Sequence, residues 1–119
     1  MHLVHKDNDG KLAVVGLLFE LGKANPLLDT IWKNIPGKKN EERAVEGVMI
    51  NPADFLPGPR TYYNYSGSLT TPPCSEGVNW NVFNTPLQLS QEQLAAFQSF
   101  YKGNNRPIQS IGDRAVENF

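Results

Sequence analysis

The sequence contains one stretch of unusual composition, Gly67-Ser68-Leu69-Thr70-Thr71-Pro72-Pro73-Cys74-Ser75-Glu76-Gly77-Val78-Asn79-Trp80. Two adjacent threonine hydroxyls lead into two prolines and then into a cysteine. Because a proline fixes its own φ and restricts the residue before it, the stretch predicts a rigid loop. The loop leads into a strand-like run at residues 78–83. Taken by itself, this pattern indicates a stiff connection and no particular chemistry.

Short strands dominate the rest of the prediction. They are predicted at residues 2–6, 11–21, 45–50, 61–65, 78–83 and 87–89. Asp7-Asn8-Asp9-Gly10 is a turn signal, so the first two strands are predicted to form a hairpin. Both faces of residues 12–19 are apolar, which favours a central strand covered on both sides. Gly16 within that run indicates a close approach or a bulge.

Two short helices interrupt this β pattern. Residues 25–35 are predicted to be helical, because Asn25 is a typical N-cap and Pro26 suits the first turn. A second helix is predicted to open with the capping-box pattern Ser90-Gln91-Glu92-Gln93 and to end at Tyr101. The remaining segments are predicted as a polar loop at 36–40, a proline-rich connection with one helical turn at 52–59, and an irregular segment at 104–119. The sequence therefore predicts a mainly β fold.

Length and composition fit one modest folded domain. The chain has 119 residues, of which 39% are hydrophobic, and a formal net charge of −1. This charge balance gives no indication of binding to nucleic acid or to an anionic membrane surface. No apolar run reaches the length of about 18 residues that a transmembrane helix requires, so no membrane span is expected.

The histidines and the cysteine are the residues whose chemistry is open. His2 and His5 lie three apart on a predicted strand, so their side chains face opposite sides and at most one can reach a given metal ion. Cys74 is the single cysteine. It is either a small buried hydrophobic residue or one half of a disulfide whose partner lies outside this chain. The residues alone leave both alternatives open.

Three motifs together resemble one protein family. The stretch 67–80 resembles the hydroxyl-bearing active-site loop of alpha-class carbonic anhydrases, and Met1-His2-Leu3-Val4-His5 resembles the strand Glu-x-His-Leu-x-His of that family. Residues 105–114 resemble its closing signature, Asn-x-Arg-Pro-x-Gln-x-Leu-x-x-Arg. The motifs occur in the family's order, so residues 1–119 are interpreted as the C-terminal portion of a bacterial-type member. The resemblance implies a twisted, largely antiparallel sheet with two short peripheral helices.

The resemblance also implies roles for individual residues. His2 occupies the position of a zinc ligand, whereas His5 matches a buried structural histidine. Thr70 matches the catalytic threonine, whose hydroxyl orients zinc-bound hydroxide and donates to a buried carboxylate. Arg106 and Arg114 match arginines that tie the C-terminal segment to the domain. The residues that match the substrate-binding wall for carbon dioxide and bicarbonate are Val4, Val14, Leu69, Thr71 and Trp80.

The implied reaction is the reversible hydration of carbon dioxide to bicarbonate and a proton, with Zn²⁺ as the cofactor, catalysed by a carbonate dehydratase, a lyase. Catalytic zinc needs three protein ligands and one open position. The family's other two zinc histidines, the carboxylate partner of Thr70 and the proton-shuttle histidine have no counterpart in this chain. We therefore expect the full-length protein to be the enzyme and this truncated chain to be inactive alone.

Two alternatives remain open for the chain. A noncatalytic binding module on the same scaffold would have lost the catalytic-loop residues, yet Thr70, Thr71, Val14 and Leu69 are present. The second alternative is pairing with the missing N-terminal half or with a second copy, because an incomplete sheet exposes strand edges that invite it. The resemblance favours a disulfide for Cys74, because bacterial members often bridge this loop to the first half. A disulfide requires an oxidising compartment, so we expect a periplasmic or secreted protein.

Overall fold

The computed structural model describes residues 1–38 and 40–119 and has a mainly β architecture. The strands of this part of the chain are β1 (His2–Lys6), β2 (Leu12–Gly16), β3 (Phe19–Leu21), β4 (Tyr62–Ser68), β5 (Glu76–Phe83), β6 (Leu87–Leu89) and β7 (Glu117–Asn118). The α-helices are α1 (Pro26–Asn34) and α2 (Gln91–Phe100), and a 3-10 helix spans Pro52–Phe55. Lys39, part of the predicted polar loop, lies outside the described residues. The predicted fold class is confirmed.

Five strands form one mixed sheet in the order β1-β2-β5-β4-β7. β1 and β2 form the predicted antiparallel hairpin, and Asp7 closes its turn because Oδ1 accepts the backbone N–H groups of Asp9 and Lys11 at 3.0 and 2.8 Å. β2 pairs in parallel with β5, while β4 pairs antiparallel with both β5 and β7. The sheet is therefore largely antiparallel, and β1 lies at one end of it.

The predicted strand at 11–21 is wrong in its extent, because the chain changes sheets at Leu17. The backbone N–H of Leu17 donates to Met1 O at 2.9 Å and extends the β1–β2 pairing by one bond. Two residues later, β3 pairs in parallel with β6 to form a separate two-stranded sheet. A run that is buried in two successive sheets has the same apolar composition as one long strand, so the sequence conceals the switch.

Apolar side chains pack on both faces of the five-stranded sheet. The larger cluster lies between this sheet, the helices and the β3–β6 sheet, and its buried members are Leu17, Leu28, Phe55, Phe83 and Leu89. A smaller cluster on the opposite face contains Val14, Val78 and Trp80. Val14 is only 1% exposed, and β2 lies between β1 and β5, so the prediction of a covered central strand is confirmed.

Both helices begin where the sequence predicts. The Asn25 side chain accepts two backbone N–H groups of the first turn of α1 at 3.0 and 3.4 Å. Ser90 and Gln93 form the capping box of α2, with bonds of 3.2 and 3.1 Å. Gln93 also joins the helices, because Nε2 donates to Asn25 O at 2.8 Å and to Asp29 Oδ1 at 2.6 Å. Among the described residues, neither helix has the length and apolarity to cross a membrane.

Two further predictions are wrong. Residues 45–50 form no strand, because Gly47 turns the chain with a φ of +73° and Met49 is left 95% exposed. β propensity produces a strand only where a neighbouring strand is available to pair. The C-terminal segment was predicted to be irregular throughout, but its end forms β7 through pairing with Tyr63 and Asn64 of β4.

Candidate metal and substrate site

The strand register places several predicted site residues on one face of the sheet. Val4 of β1 pairs with Val14 of β2, and Val14 pairs with Trp80 of β5. Residues opposite each other in a ladder share a face, and so do residues two apart along a strand. His2 therefore lies on this face as well, which we call the site face, whereas His5 lies on the other. The alternation predicted for the two histidines is confirmed.

Trp80 is the centre of the site face. Its ring contacts His2 in a T-shaped arrangement, with ring centroids 4.8 Å apart and planes at 83°. Its other neighbour is Tyr65, which stacks on it at 6.2 Å with planes at 5°. The indole Nε1 donates to Ser68 O at 3.0 Å, which satisfies a donor on a side chain that is only 6% exposed. The hydrogen bond and the stacking therefore hold the indole in one orientation, beside the His2 imidazole.

The site face also contains two close backbone approaches. A Cβ at Gly16 would lie 3.0 Å from Val82 Cγ2, so the close approach predicted at Gly16 is confirmed. A Cβ at Gly67 would lie 2.9 Å from Trp80 Cδ1 and 3.1 Å from Tyr65 Cε2. The stacked rings of the site face therefore depend on the absence of a side chain at Gly67.

Two backbone hydrogen bonds close the threonine-proline loop. Leu69 N donates to Ser75 O at 2.9 Å, and Cys74 N donates to Thr71 O at 2.9 Å. The Pro72–Pro73 peptide bond is cis, and Cys74 adopts a φ of +57°. The Cys74 thiol is half-buried and unpaired within the described part of the chain, which leaves both alternatives for this cysteine open. The predicted loop is confirmed.

A half-open cleft of about 520 Å³ lies against the site face. His2, Thr70 and Trp80 all contribute to its walls, although they are far apart in sequence. Val14 and Leu69 pack with Trp80 in the apolar cluster of the same face. The structure therefore brings the predicted metal ligand and the predicted catalytic threonine to one opening, beside the Trp80 ring.

Five other predicted residues lie outside the walls of this cleft: Val14 and Leu69 in the apolar cluster, and Val4, His5 and Thr71. Val4 is 58% exposed at the end of the sheet, and Thr71 is exposed in the loop. The prediction that His5 is buried is wrong, because its side chain is exposed. His5 lies on the terminal strand of the sheet, where only β2 flanks it among the described elements.

Sequence analysis missed the contribution of Tyr65 and Ser68 to the cleft. Tyr65 faces the cleft because it pairs with Trp80, and no signal within the strand itself indicates that partner. The arginines were predicted to attach the C-terminal segment, and this is confirmed. Arg106 Nη1 donates to Ser68 Oγ at 2.7 Å, and Arg114 Nη1 donates to Ser66 O at 3.1 Å. Both arginines also line the cleft, which their structural assignment did not indicate.

The cleft influences the protonation of two of its residues. The His2 side chain is partly exposed, like that of His5, but the burial of its remaining surface lowers its pKa below the ordinary value of 6.5, and the nearby N-terminal ammonium group lowers this pKa further. Neutral imidazole is the form that binds a metal ion, so this environment favours a ligand role. Burial raises the pKa of Tyr65, an effect that the positive charge of Arg114 opposes. Tyr65 therefore remains a neutral phenol at pH 7.

The residues present supply only part of a metal centre. Among residues 1–38 and 40–119, no group of three His, Cys, Asp or Glu side chains is arranged to hold a metal ion. His2 is the single imidazole on the site face, because His5 faces away. Since catalytic zinc takes three protein ligands, the described residues do not fit such a centre by themselves.

Comparison with known proteins gives the family. The model of the eukaryotic-type carbonic anhydrases matches residues 2–119. The chain belongs to this family. The carbonic anhydrases of Nostoc sp. and Pectobacterium carotovorum are 42% and 44% identical to it over 116 residues. These matches cover 98% and 97% of this chain but only 44% and 47% of the relatives.

A solved structure confirms the same relationship. The alpha-carbonic anhydrase of Thermovibrio ammonificans, in complex with the inhibitor sulfanilamide, has a TM-score of 0.87 and 45% sequence identity to this carbonic anhydrase chain. The match covers 97% of this chain and 51% of that one. The chain therefore has the alpha-carbonic anhydrase fold and spans about half the length of the relatives it matches.

Proposed function

We propose that this chain provides the substrate-facing half of a zinc-dependent carbonic anhydrase, which converts carbon dioxide and water to bicarbonate and a proton, and that the chain is inactive alone. The main support is that His2, Thr70 and Trp80 line one cleft in a member of this family. Zinc, when three ligands hold it, lowers the pKa of bound water to about 7. This chain contributes one such ligand, so that chemistry belongs to the assembled protein.

His2 is proposed as the metal ligand. Its imidazole lines the cleft and contacts the Trp80 ring, with ring centroids 4.8 Å apart. The lowered pKa of His2 keeps the ring neutral at pH 7, so no proton has to leave before a metal binds. The ring contact with Trp80 lowers the conformational entropy that His2 would lose on coordination.

Thr70 is proposed to orient the attacking oxygen. Its hydroxyl makes no hydrogen bond to any described residue, so it is free both to accept one from the nucleophile and to donate one onward. Trp80 would supply the apolar surface on which carbon dioxide rests, and Val14 and Leu69 pack with it in the cluster of the same face. A nonpolar substrate gains nothing from polar walls, and such a surface also excludes water from the reacting carbon. Val4 and Thr71 would line the same substrate space once the protein is assembled.

An unpaired strand edge and an exposed apolar groove support the proposal that this chain is one part of a larger domain. β1 has no neighbour on its outer side among the described strands. An apolar groove of about 390 Å³ lies near α1 and α2, and Leu21 on its wall is 57% exposed. Unpaired strand edges and exposed apolar surface mark sites of association. We propose that the first half of the enzyme covers both surfaces, and that self-association covers them when it is absent.

Cys74 supports a proposed periplasmic or secreted location. The thiol is half-buried in an exposed loop and has no cysteine partner in this chain. A disulfide to a cysteine of the other half would stabilise the loop that carries Thr70, and such bonds persist in oxidising compartments.

A chimera tests the proposed function. This chain replaces the matched 116 residues of the Nostoc carbonic anhydrase, and carbon dioxide hydration is followed by stopped-flow with added zinc. The chimera is expected to exceed the buffer rate, whereas the chain alone with zinc is not. Thr70→Val should lower kcat/KM by about 100-fold, because the nucleophile loses its orientation. Thr61→Val, an exposed threonine outside the cleft, is the matched control.

Three results would contradict the proposal. One is turnover by the chain alone. Another is a folded, zinc-loaded chimera that does not hydrate carbon dioxide, which would favour a noncatalytic binding module. The last is a Thr70→Val chimera with full activity.

A further inference from the structure

Ser68 lies where β4 ends, two residues before Thr70, and its polar atoms hold three parts of the chain. Its backbone carbonyl oxygen accepts the Trp80 indole N–H at 3.0 Å. Its hydroxyl oxygen accepts from Arg106 Nη1 at 2.7 Å, and the same hydroxyl donates to Leu69 O at 3.0 Å. One small residue therefore connects the site face, the C-terminal segment and the loop that carries Thr70.

Arg106 determines where the Ser68 hydroxyl points. A serine hydroxyl has one hydrogen, which rotates to suit its neighbours. Because the guanidinium N–H occupies an acceptor position of Oγ, the hydroxyl hydrogen is left to point at Leu69 O. A hydrogen bond from a charged donor is also stronger than one between neutral groups. The C-terminal segment therefore fixes the direction of this hydroxyl.

The bond to Leu69 O acts on Thr70 through one peptide unit. The Leu69 carbonyl group and the Thr70 N–H and Cα lie in one plane, because the peptide bond is planar. The Leu69 N–H is held separately, by Ser75 O at 2.9 Å. Among the described residues, the Ser68 hydroxyl is the hydrogen-bond partner of the Leu69 carbonyl. It therefore restrains the plane from which the Thr70 side chain extends.

A β-bulge separates this loop from the regular part of the sheet. The register of β4 and β5 shifts between Gly67 and Ser68, and Gly77, with a φ of +77°, is left without a residue opposite it. Bulges interrupt the ladder and redirect the side chains next to them. Thr70 lies beyond this irregularity and has no hydrogen bond of its own to a described residue. Its direction therefore depends on the bonds of the residues before it.

We propose that Ser68 is a positioning residue for the reaction. Oriented by Arg106, its hydroxyl holds the Leu69–Thr70 peptide and thereby directs the Thr70 hydroxyl at the cleft. This inference rests on the proposed function, in which Thr70 orients the attacking oxygen. A Ser68 that only stabilised the fold would leave the rate of each folded, zinc-loaded molecule unchanged, whereas a positioning Ser68 affects that rate through Thr70.

A double-mutant cycle in the Nostoc chimera separates the two roles. Ser68→Ala should lower kcat/KM by about 3–10-fold at unchanged zinc content, the factor that one hydrogen bond supports. In the Thr70→Val chimera the same substitution should change kcat/KM by less than about 2-fold, because the group that Ser68 positions is gone. Ser99→Ala is the matched control, because this exposed hydroxyl of α2 also donates to a backbone carbonyl, Ala96 O at 2.7 Å. It should change kcat/KM in neither background.

Arg106→Met removes the donor that orients the hydroxyl. It should also lower kcat/KM, and it should add less than about 2-fold to the loss in a Ser68→Ala chimera, since the two residues act as one unit.

The 119-residue chain offers a measurement that does not depend on catalysis. The ¹⁵N order parameter of the Thr70 amide reports how firmly the restrained peptide plane is held. It should be about 0.85, the value of rigid backbone, in the unmodified and Ser99→Ala chains, and it should fall toward about 0.6 in Ser68→Ala. An inactive chimera would refute the proposed function, while this order parameter would still decide whether Ser68 holds the Thr70 peptide.

The inference is overturned if Ser68→Ala costs as much in the Thr70→Val chimera as in the unmodified one, or costs nothing in either. It is also overturned if the losses from Ser68→Ala and Arg106→Met multiply, or if Ser68→Ala leaves the order parameter of the Thr70 amide unchanged.

Discussion

Replacing Gly67 with alanine should disrupt the packing that holds the candidate site together. The added methyl carbon would lie 2.9 Å from Trp80 Cδ1, 3.1 Å from Tyr65 Cε2 and 3.2 Å from Trp80 Nε1. These distances are shorter than van der Waals contact, and both neighbours are ring atoms that cannot bend away. The indole and the Tyr65 ring must therefore shift. A shift of the indole weakens its hydrogen bond to Ser68 O or its contact with His2.

The size of the effect follows from these contacts. One extra methyl group in a filled core costs about 1–3 kcal/mol. A weakened hydrogen bond from the indole to Ser68 adds about 1 kcal/mol. The expected loss in the free energy of unfolding is therefore about 2–4 kcal/mol. With a denaturant slope of about 2 kcal/mol per molar, the urea midpoint should fall by about 1–2 M.

Urea unfolding followed by circular dichroism measures this loss. Gly58→Ala is the matched control, because nothing lies within 4 Å of a Cβ at that position. Its midpoint should change by less than the equivalent of about 0.5 kcal/mol. A Gly67→Ala chain with the midpoint of the unmodified chain, or with the same loss as Gly58→Ala, would refute the packing described for Trp80.

Three further predictions concern the helices, the pH dependence and the exposed groove. Gln93→Met should lower the free energy of unfolding in urea by about 2–4 kcal/mol, because it leaves the backbone partners of the Gln93 amide unpaired. Gln98→Met, on the exposed side of α2, should be neutral. Equal effects of the two substitutions would contradict the hydrogen bonds described for Gln93. NMR titration should give His2 a pKa below 6.5. Just below pH 6.5 the unfolded chain then binds more protons at His2 than the folded chain does, so the free energy of unfolding should fall as the pH drops through 6.5. The fall should be smaller in His2→Gln. An equal pH dependence in both chains would contradict the lowered pKa of His2. Gel filtration of the chain should show self-association that Leu21→Lys reduces and Met49→Lys does not, and a clean monomer would contradict it.

Local patterns explain which elements the sequence predicts well. The helices follow from side chains that bond to their own first turns, as Asn25 and Ser90 do, and the β1–β2 hairpin follows from the Asp7 turn. Each of these interactions joins residues within one turn, so the sequence contains all the information they need.

Long-range pairing decides the elements that the sequence misassigns. The break after Gly16 depends on β6, more than 70 residues later, to which β3 pairs. Residues 45–50 have strand composition, but no described strand pairs with them, and β7 exists only because β4 offers its free side. Burial depends on such neighbours in the same way, which is why His5 was wrongly predicted to be buried.

In the candidate site, too, local motifs predict some residues and long-range pairing places the others. The motifs around His2 and Thr70 indicate the proposed chemistry, since residue type and spacing are visible in the sequence. That these two residues share a cleft with Tyr65 and Arg106 depends on sheet register and on the path of the C-terminal segment. Neither quantity can be read from a local pattern.

One imidazole on the site face cannot hold a catalytic metal ion without ligands from other polypeptide. Equilibrium dialysis of the monomeric chain against micromolar zinc, beside the Nostoc chimera, measures this. We expect about 0.1 equivalent of zinc or less in the chain and about one equivalent in the chimera. One tightly held zinc per monomeric chain, lost on His2→Ala, would contradict it.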